Sequence, residues 1–235
     1  MRALRILLIT AVVLGGLFVA ADRVAVGLAE DEVAKKVRSS QGLKADPKVS
    51  IEGFPFLTQV ATKELEEVRV DLGGMTASAE GHALRVTEMT ANLYDVRIGG
   101  NFSTATAASA TGAASIGYSD LSKAADEGIM ISYGGESDSG KPQVKVTANI
   151  SLPGLPAFNG SVLSTVSIVD GDTLRLQADD IPAEGIPGVE ERVREKVDRD
   201  WKISGLPKGL EFDTVTVTKS GIDVTVKGNQ VALAG

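Results

Sequence analysis

Residues 83–98 read ALRVTEMTANLYDVRI. Leu84 and Val86 alternate with polar neighbours, then Met89, Ala91 and Leu93 do so, then Val96 and Ile98. Alternation at period two marks a strand with one face turned to a core. Here its phase changes twice, which predicts one long strand bent by bulges, because an inserted residue sends every later side chain to the other face. The pattern extends in both directions. Lys48–Ile51 is a short strand that runs into GFPFL. Leu65, Val68, Val70 and Leu72 lead to Gly73-Gly74 and then MTASAE, a hairpin signal. Residues 102–116 are small and alternating, a thin strand or a loop. Ile129–Tyr133 pairs across GGESDSGKP with the strand beginning at Gln143. Val162–Val169 turns at Asp170-Gly171 into Thr173–Ala178. A meander closes the chain, with Thr214–Thr218, Ile222–Lys227 and Val231–Leu233 separated by turns at Ser220-Gly221 and Gly228-Asn229.

Three modest helices punctuate these strands. Residues 22–40 place Val26, Ala29, Val33 and Val37 at helical spacing, with Gly42 as a stop. Residues 119–127 form a weaker helix with a Ser cap candidate and Gly128 behind it. The third opens at Pro187-Gly188, repeats Val189, Val193, Val197 and Trp201 every fourth residue, and closes at Gly205. No shift of composition divides residues 22–235, which are read as a single domain. A long antiparallel sheet with few helices defines the α+β class.

The chain is 235 residues long, 43% hydrophobic, only 4% aromatic, and carries a formal charge of −7. Its core is therefore built from small and β-branched groups. The acidic balance excludes nucleic acid as a partner, since phosphate binding needs concentrated Lys and Arg. Cysteine is absent, which excludes disulfides, thiolate metal sites and a lipidated N-terminal cysteine. Arg2 and Arg5 precede an uncharged run from Ile6 to Ala21. Basic residues before an apolar stretch are the arrangement of exported chains. Sixteen residues make about 24 Å of helix, short for a bilayer core of about 30 Å and long for a signal peptide. Residues 1–21 are thus a signal peptide, with Val19 and Ala21 before the cleavage point, or a retained anchor. A buried core helix is the third reading. Under the first two, the body lies outside the cytoplasmic membrane, in a periplasmic space or at the cell surface.

Catalytic patterns are missing. GYSDL and GESDS both lack the last Gly of a nucleophile elbow, and the only histidine, His82, sits beside a turn. No nucleotide-binding loop occurs. Asp170-Gly171-Asp172 resembles a calcium ligand pair, but turn chemistry explains it. The chain reads as no enzyme, and no cofactor is implied. The strand surface is informative in another way. Uncovered apolar surface costs about 25 cal/mol per Å², and two or three narrow helices do not blanket so many alternating strands. The sheet must curl, sandwich, or accept an apolar ligand.

Two segments go beyond pattern. In Val49–Gln59, VSIEGFPFLTQ, an alternating strand meets Gly and then packs two aromatics and a Leu around a Pro. In 203–210, ISGLPKGL, Leu206 and Leu210 bracket a turn. With the closing VTVTKSGIDVTVKGNQVAL, these segments resemble the LmeA-type phospholipid-binding proteins, exported by Gram-positive-related bacteria with mycolate or similar envelopes. The resemblance runs from about Asp22 to the C-terminus. It implies a fold similar to tubular lipid-binding (BPI-like) domains, with a long curved antiparallel sheet wrapped around an N-terminal helix, an apolar groove for acyl chains, and a part in envelope lipid or lipoglycan maturation or transport. Phe54, Phe56 and Leu57 carry over as motif positions. Leu93, Trp201, Leu206 and Leu210 complete the set of expected lipid contacts. Phospholipid is the implied ligand, the membrane a partner through the apolar run, and envelope enzymes possible partners. The competing reading is a dry-core structural or adaptor module of the envelope.

Overall fold

A computed structural model describes the chain except for residues 1, 42, 44, 80–81, 101–103, 126–127, 138–139, 151–157, 182–188, 203–207 and 235. It is α+β, with a long N-terminal helix and two antiparallel sheets. In chain order the elements are α1 (Arg2–Gln41), β1 (Lys48–Glu52), α2 (Phe56–Thr62), β2 (Glu64–Ala79), β3 (His82–Gly99) and β4 (Thr104–Gly117). Then follow α3 (Tyr118–Ala124), β5 (Ile129–Glu136), β6 (Pro142–Ile150), β7 (Phe158–Val169), β8 (Thr173–Asp180), α4 (Val189–Val197), β9 (Arg199–Lys202), β10 (Leu210–Val217) and β11 (Gly221–Ala234). One sheet has the order β1-β2-β3-β4-β11-β10 and the other β5-β6-β7-β8-β9.

The chain packs as two compact units: residues 1–71, 91–110 and 229–235 form the first, and residues 72–90 and 111–228 the second. The first contains α1, β1, α2 and the adjoining parts of β2, β3, β4 and β11. Val49 and Ile51 of β1 lie opposite Val70 and Val68 of β2, and all four are buried. Val26 and Ala34 of α1 are buried as well, and the helix packs on β1 and α2. The buried line therefore runs through Asp22, Val26 and Ala34, at multiples of four residues. The expected line through Ala29, Val33 and Val37 is at best half-buried. The bend predicted in β3 has a visible cause near its end. Asp95 stands at φ 49, between the Leu93 and Val96 phases, and Val96 is buried.

The second unit is centred on Val144, Val146, Val162, Leu176, Ala178, Val193, Val197, Val217 and Val224, the small and branched core that the composition implies. Helix α4 seats Val193 and Val197 there. Its Arg194 donates to the Ala178 carbonyl at 3.1 Å, and Asp198 accepts from the Ala178 N–H at 2.8 Å. These side chains satisfy the main chain of β8 beyond Leu176, the last residue that β9 pairs. The helix stops at Val197, earlier than the four-residue repeat suggested. Trp201 belongs to β9, opposite Leu174, because Arg199–Lys202 pair with β8 and Arg175 clamps Asp200 through bonds of 2.7 and 2.6 Å. The proposed helix start at Pro187-Gly188 and its stop at Gly205 lie outside the described residues.

Two turn expectations are overturned. Gly73-Gly74 lies inside β2, which runs on to Ala79, and Gly74 at φ 59 bends the strand instead of reversing it. Gly228-Asn229 is likewise inside β11, so the closing meander has two strands, not three. Gly228 is there because β10 begins against it. A Cβ at this position would lie 2.0 Å from the Gly209 carbonyl oxygen. Gly228→Ala is expected to destabilise by about 1–3 kcal/mol, the usual range for overpacking, read as a lower denaturant midpoint. By contrast Asp170-Gly171 is the turn expected, at φ 54 and 71 between β7 and β8.

One buried hydroxyl is orphaned. Ser164 of β7 is fully buried opposite Val144, and among the described residues its Oγ has no hydrogen-bond partner. An unsatisfied polar group carries its desolvation penalty unrelieved. Ser164→Ala is therefore expected to leave stability unchanged or raise it by about 1 kcal/mol, as a thermal melt will show.

Candidate functional site

The GFPFL corner is assembled from polar bonds around one buried ring. Strand β1 ends at Glu52 and the chain turns at Gly53, φ 95. A Cβ there would lie 2.5 Å from both Gln59 Nε2 and Glu66 Oε2, the ends of flexible side chains that would have to shift, and the left-handed backbone is what favours glycine. The Phe54-Pro55 peptide is cis. Pro55 then caps α2 without a side-chain bond of its own. Gln59, buried in α2, clasps the two strands: its amide donates to the Glu52 carbonyl at 3.1 Å and accepts from the Glu66 N–H at 2.8 Å.

The missing cap comes from the other side of the sequence. Asp22 Oδ1 on α1 accepts from the Leu57 N–H at 2.8 Å, while its Oδ2 takes the Arg23 guanidinium at 2.6 Å. The aspartate is fully buried. Burial alone pushes its carboxyl up, but the Leu57 N–H, the Arg23 guanidinium and the Phe56 N–H outweigh this and hold it below the ordinary carboxylate range. One helical turn pair further on, Glu30 Oε1 accepts from the Ile51 N–H at 2.7 Å, covering a main-chain donor of the edge strand β1. Asp22 and Glu30 thus tie the corner and its strand to α1.

The three motif side chains part ways at this corner. Phe56 is 6% exposed and belongs to the core of its unit, whereas Phe54 is 55% and Leu57 38% exposed. Arg23 lies over the Phe54 ring, 5.4 Å from its centroid. The other expected lipid contacts are dispersed. Leu93 is half-buried on β3 in the same unit as the corner. Trp201 on β9 and Leu210 at the start of β10 are half-buried in the second unit, and Leu206 lies outside the described residues. Two open grooves are lined by described residues, one of about 320 Å³ beside Asp95, Arg97 and Gln230, the other of about 340 Å³ beside Arg175, Asp198 and Asp200. The second groove, walled mostly by charged side chains, suits water and ions better than acyl chains. Asp172, the would-be calcium ligand, is bonded to Lys202 at 2.9 Å and to Thr173, which hold its carboxyl below its usual range.

Sequence reasoning missed Asp22, Glu30 and Gln59. Asp22 reads only as the residue that ends the apolar run, and nothing local announces a partner 35 positions on. A stronger hint was Gly-x-Pro without a polar cap before a helical turn, which leaves main-chain donors needing an acceptor from elsewhere.

The apolar run itself is bare. From Arg2 to Ala21 every residue of α1 is exposed, and the most apolar window, of mean hydropathy 2.4, is 0% buried. The buried-core reading of this helix is thereby overturned. Its length and composition suffice to cross a membrane.

The chain thus combines a bare apolar N-terminal helix with two large antiparallel sheets. Residues 20–227 match the model of the LmeA-like phospholipid-binding family, and the chain belongs to that family. Neither a curated protein nor a solved structure matches it.

Proposed function

We propose that this protein binds phospholipid on the outer side of the cytoplasmic membrane, held there by the first half of α1, and serves envelope lipid or lipoglycan maturation or transport without catalysing a reaction. The observation that carries the reading is family membership across nearly the whole body of the chain. One feature supports it: the exposed run Ile6–Ala21 has no packing role in its unit. Acyl chains need no charged anchor, since each buried methylene contributes about 0.8 kcal/mol.

A ligand that binds only the folded state stabilises it in proportion to the logarithm of its concentration, by about 2.7 kcal/mol at a hundredfold excess over Kd. Short-chain phospholipid, added below its micelle-forming concentration, is therefore expected to raise the Tm of the full chain progressively. A Tm that does not move at any concentration contradicts lipid binding and leaves the dry-core adaptor.

A further inference from the structure

We propose that the Phe54–Leu57 corner is a membrane-docking surface, lying in the outer interface of the bilayer that α1 enters. The proposal rests on the anchor reading above and adds a second point of contact to it. Among the described residues beyond α1, the exposed large apolar side chains are Phe54, Leu57 and Met130. Two of these three sit on one corner, and that corner is bonded to Asp22, the residue directly after the apolar run. Phe54 is thus fixed at the depth where the helix leaves the hydrocarbon. Arg23, stacked on Phe54 and paired with Asp22, places a cation at the level of lipid phosphates, the position that interfacial Arg and aromatic residues favour.

Length gives the corner a purpose. The run from Ile6 to Ala21 provides about 24 Å of apolar helix against a hydrocarbon core of about 30 Å. A short span thins the bilayer or draws neighbouring apolar groups into it. Phe54 and Leu57 supply such groups at the outer end. The Asp22 and Glu30 bonds keep them there, so that β1 and α2 are held against the membrane surface instead of swinging on α1.

Because the chain has no cysteine, Leu57→Cys carrying a polarity-sensitive fluorophore reports on that position alone. Lys36→Cys is the reference, exposed on α1 fifteen residues past Ala21, about 22 Å along the helix. The full chain is reconstituted in phosphatidylcholine–phosphatidylglycerol vesicles containing lipid with a nitroxide headgroup. The label at 57 is expected to be quenched about twofold or more, with the label at 36 unaffected. Phe54→Asp, at an exposed position that leaves the fold intact, is expected to relieve the quenching. Equal quenching at both sites, none at either, or no effect of Phe54→Asp overturns docking, and retention of the chain through an alkaline wash then shows the anchor still in place. Loss of the chain in that wash overturns the anchor and the proposal together. Quenching that persists in detergent micelles at one nitroxide lipid per chain assigns Leu57 to a bound lipid and also overturns docking.

Discussion

Phe56→Ala is expected to destabilise the first unit by about 3–5 kcal/mol, the range for removing a buried aromatic ring. Phe56 is the buried member of the GFPFL motif, with 6% of its surface exposed. Its ring is the apolar contact beneath α2, and the polar clasp around it depends on that helix holding its place. Gln59 must stay within reach of Glu52 and Glu66, and the Leu57 N–H within reach of Asp22. Marginal folds have about 5–15 kcal/mol in total, so the loss is a large share of the whole. Phe54→Ala, two residues away and mostly exposed, is expected to change the denaturant midpoint hardly at all. Denaturant unfolding of the two variants side by side checks the contrast. Equal losses would mean that the corner is not divided into a buried and an exposed ring.

The second large effect is expected at Asp22, and it depends on pH. The folded carboxyl is held below its ordinary range by the Leu57 N–H, Arg23 and the Phe56 N–H, against the opposing pull of burial. A group with a depressed folded pKa contributes stability that is fully present above its unfolded pKa and is lost as pH falls through the folded one. Asp22→Asn keeps the shape and removes the charge. At neutral pH the variant is expected to melt several degrees below the parent chain. On acidification through and below the carboxylate range the difference closes, because the parent loses by protonation what the variant already lacks. Thermal melts of both chains across that range test this. A difference that stays constant at every pH would place the carboxylate's contribution elsewhere than in its charge.

The parts of this fold written in local pattern were legible. The phases of β3 announced a bent strand, and Asp95 at φ 49 is where one of the breaks falls. Asp170-Gly171 suits the left-handed turn it makes. What the sequence concealed was decided by partners distant along the chain. Gly73-Gly74 and Gly228-Asn229 permit reversal, yet β2 runs on to Ala79 and β11 to Ala234. Trp201 kept the four-residue rhythm of α4 although β8 draws it into a strand. The GFPFL segment showed its turn but not its helix, whose cap is a carboxylate from α1. The motif's aromatics were likewise legible as a group, while their division into one buried and one exposed ring followed only from packing.

Native mass spectrometry of the full chain, purified from cells in mild detergent, will show whether this protein holds phospholipid. A discrete population heavier than the chain by one phospholipid is expected, surviving detergent exchange and disappearing on delipidation. A single mass, identical before and after delipidation, would contradict phospholipid binding.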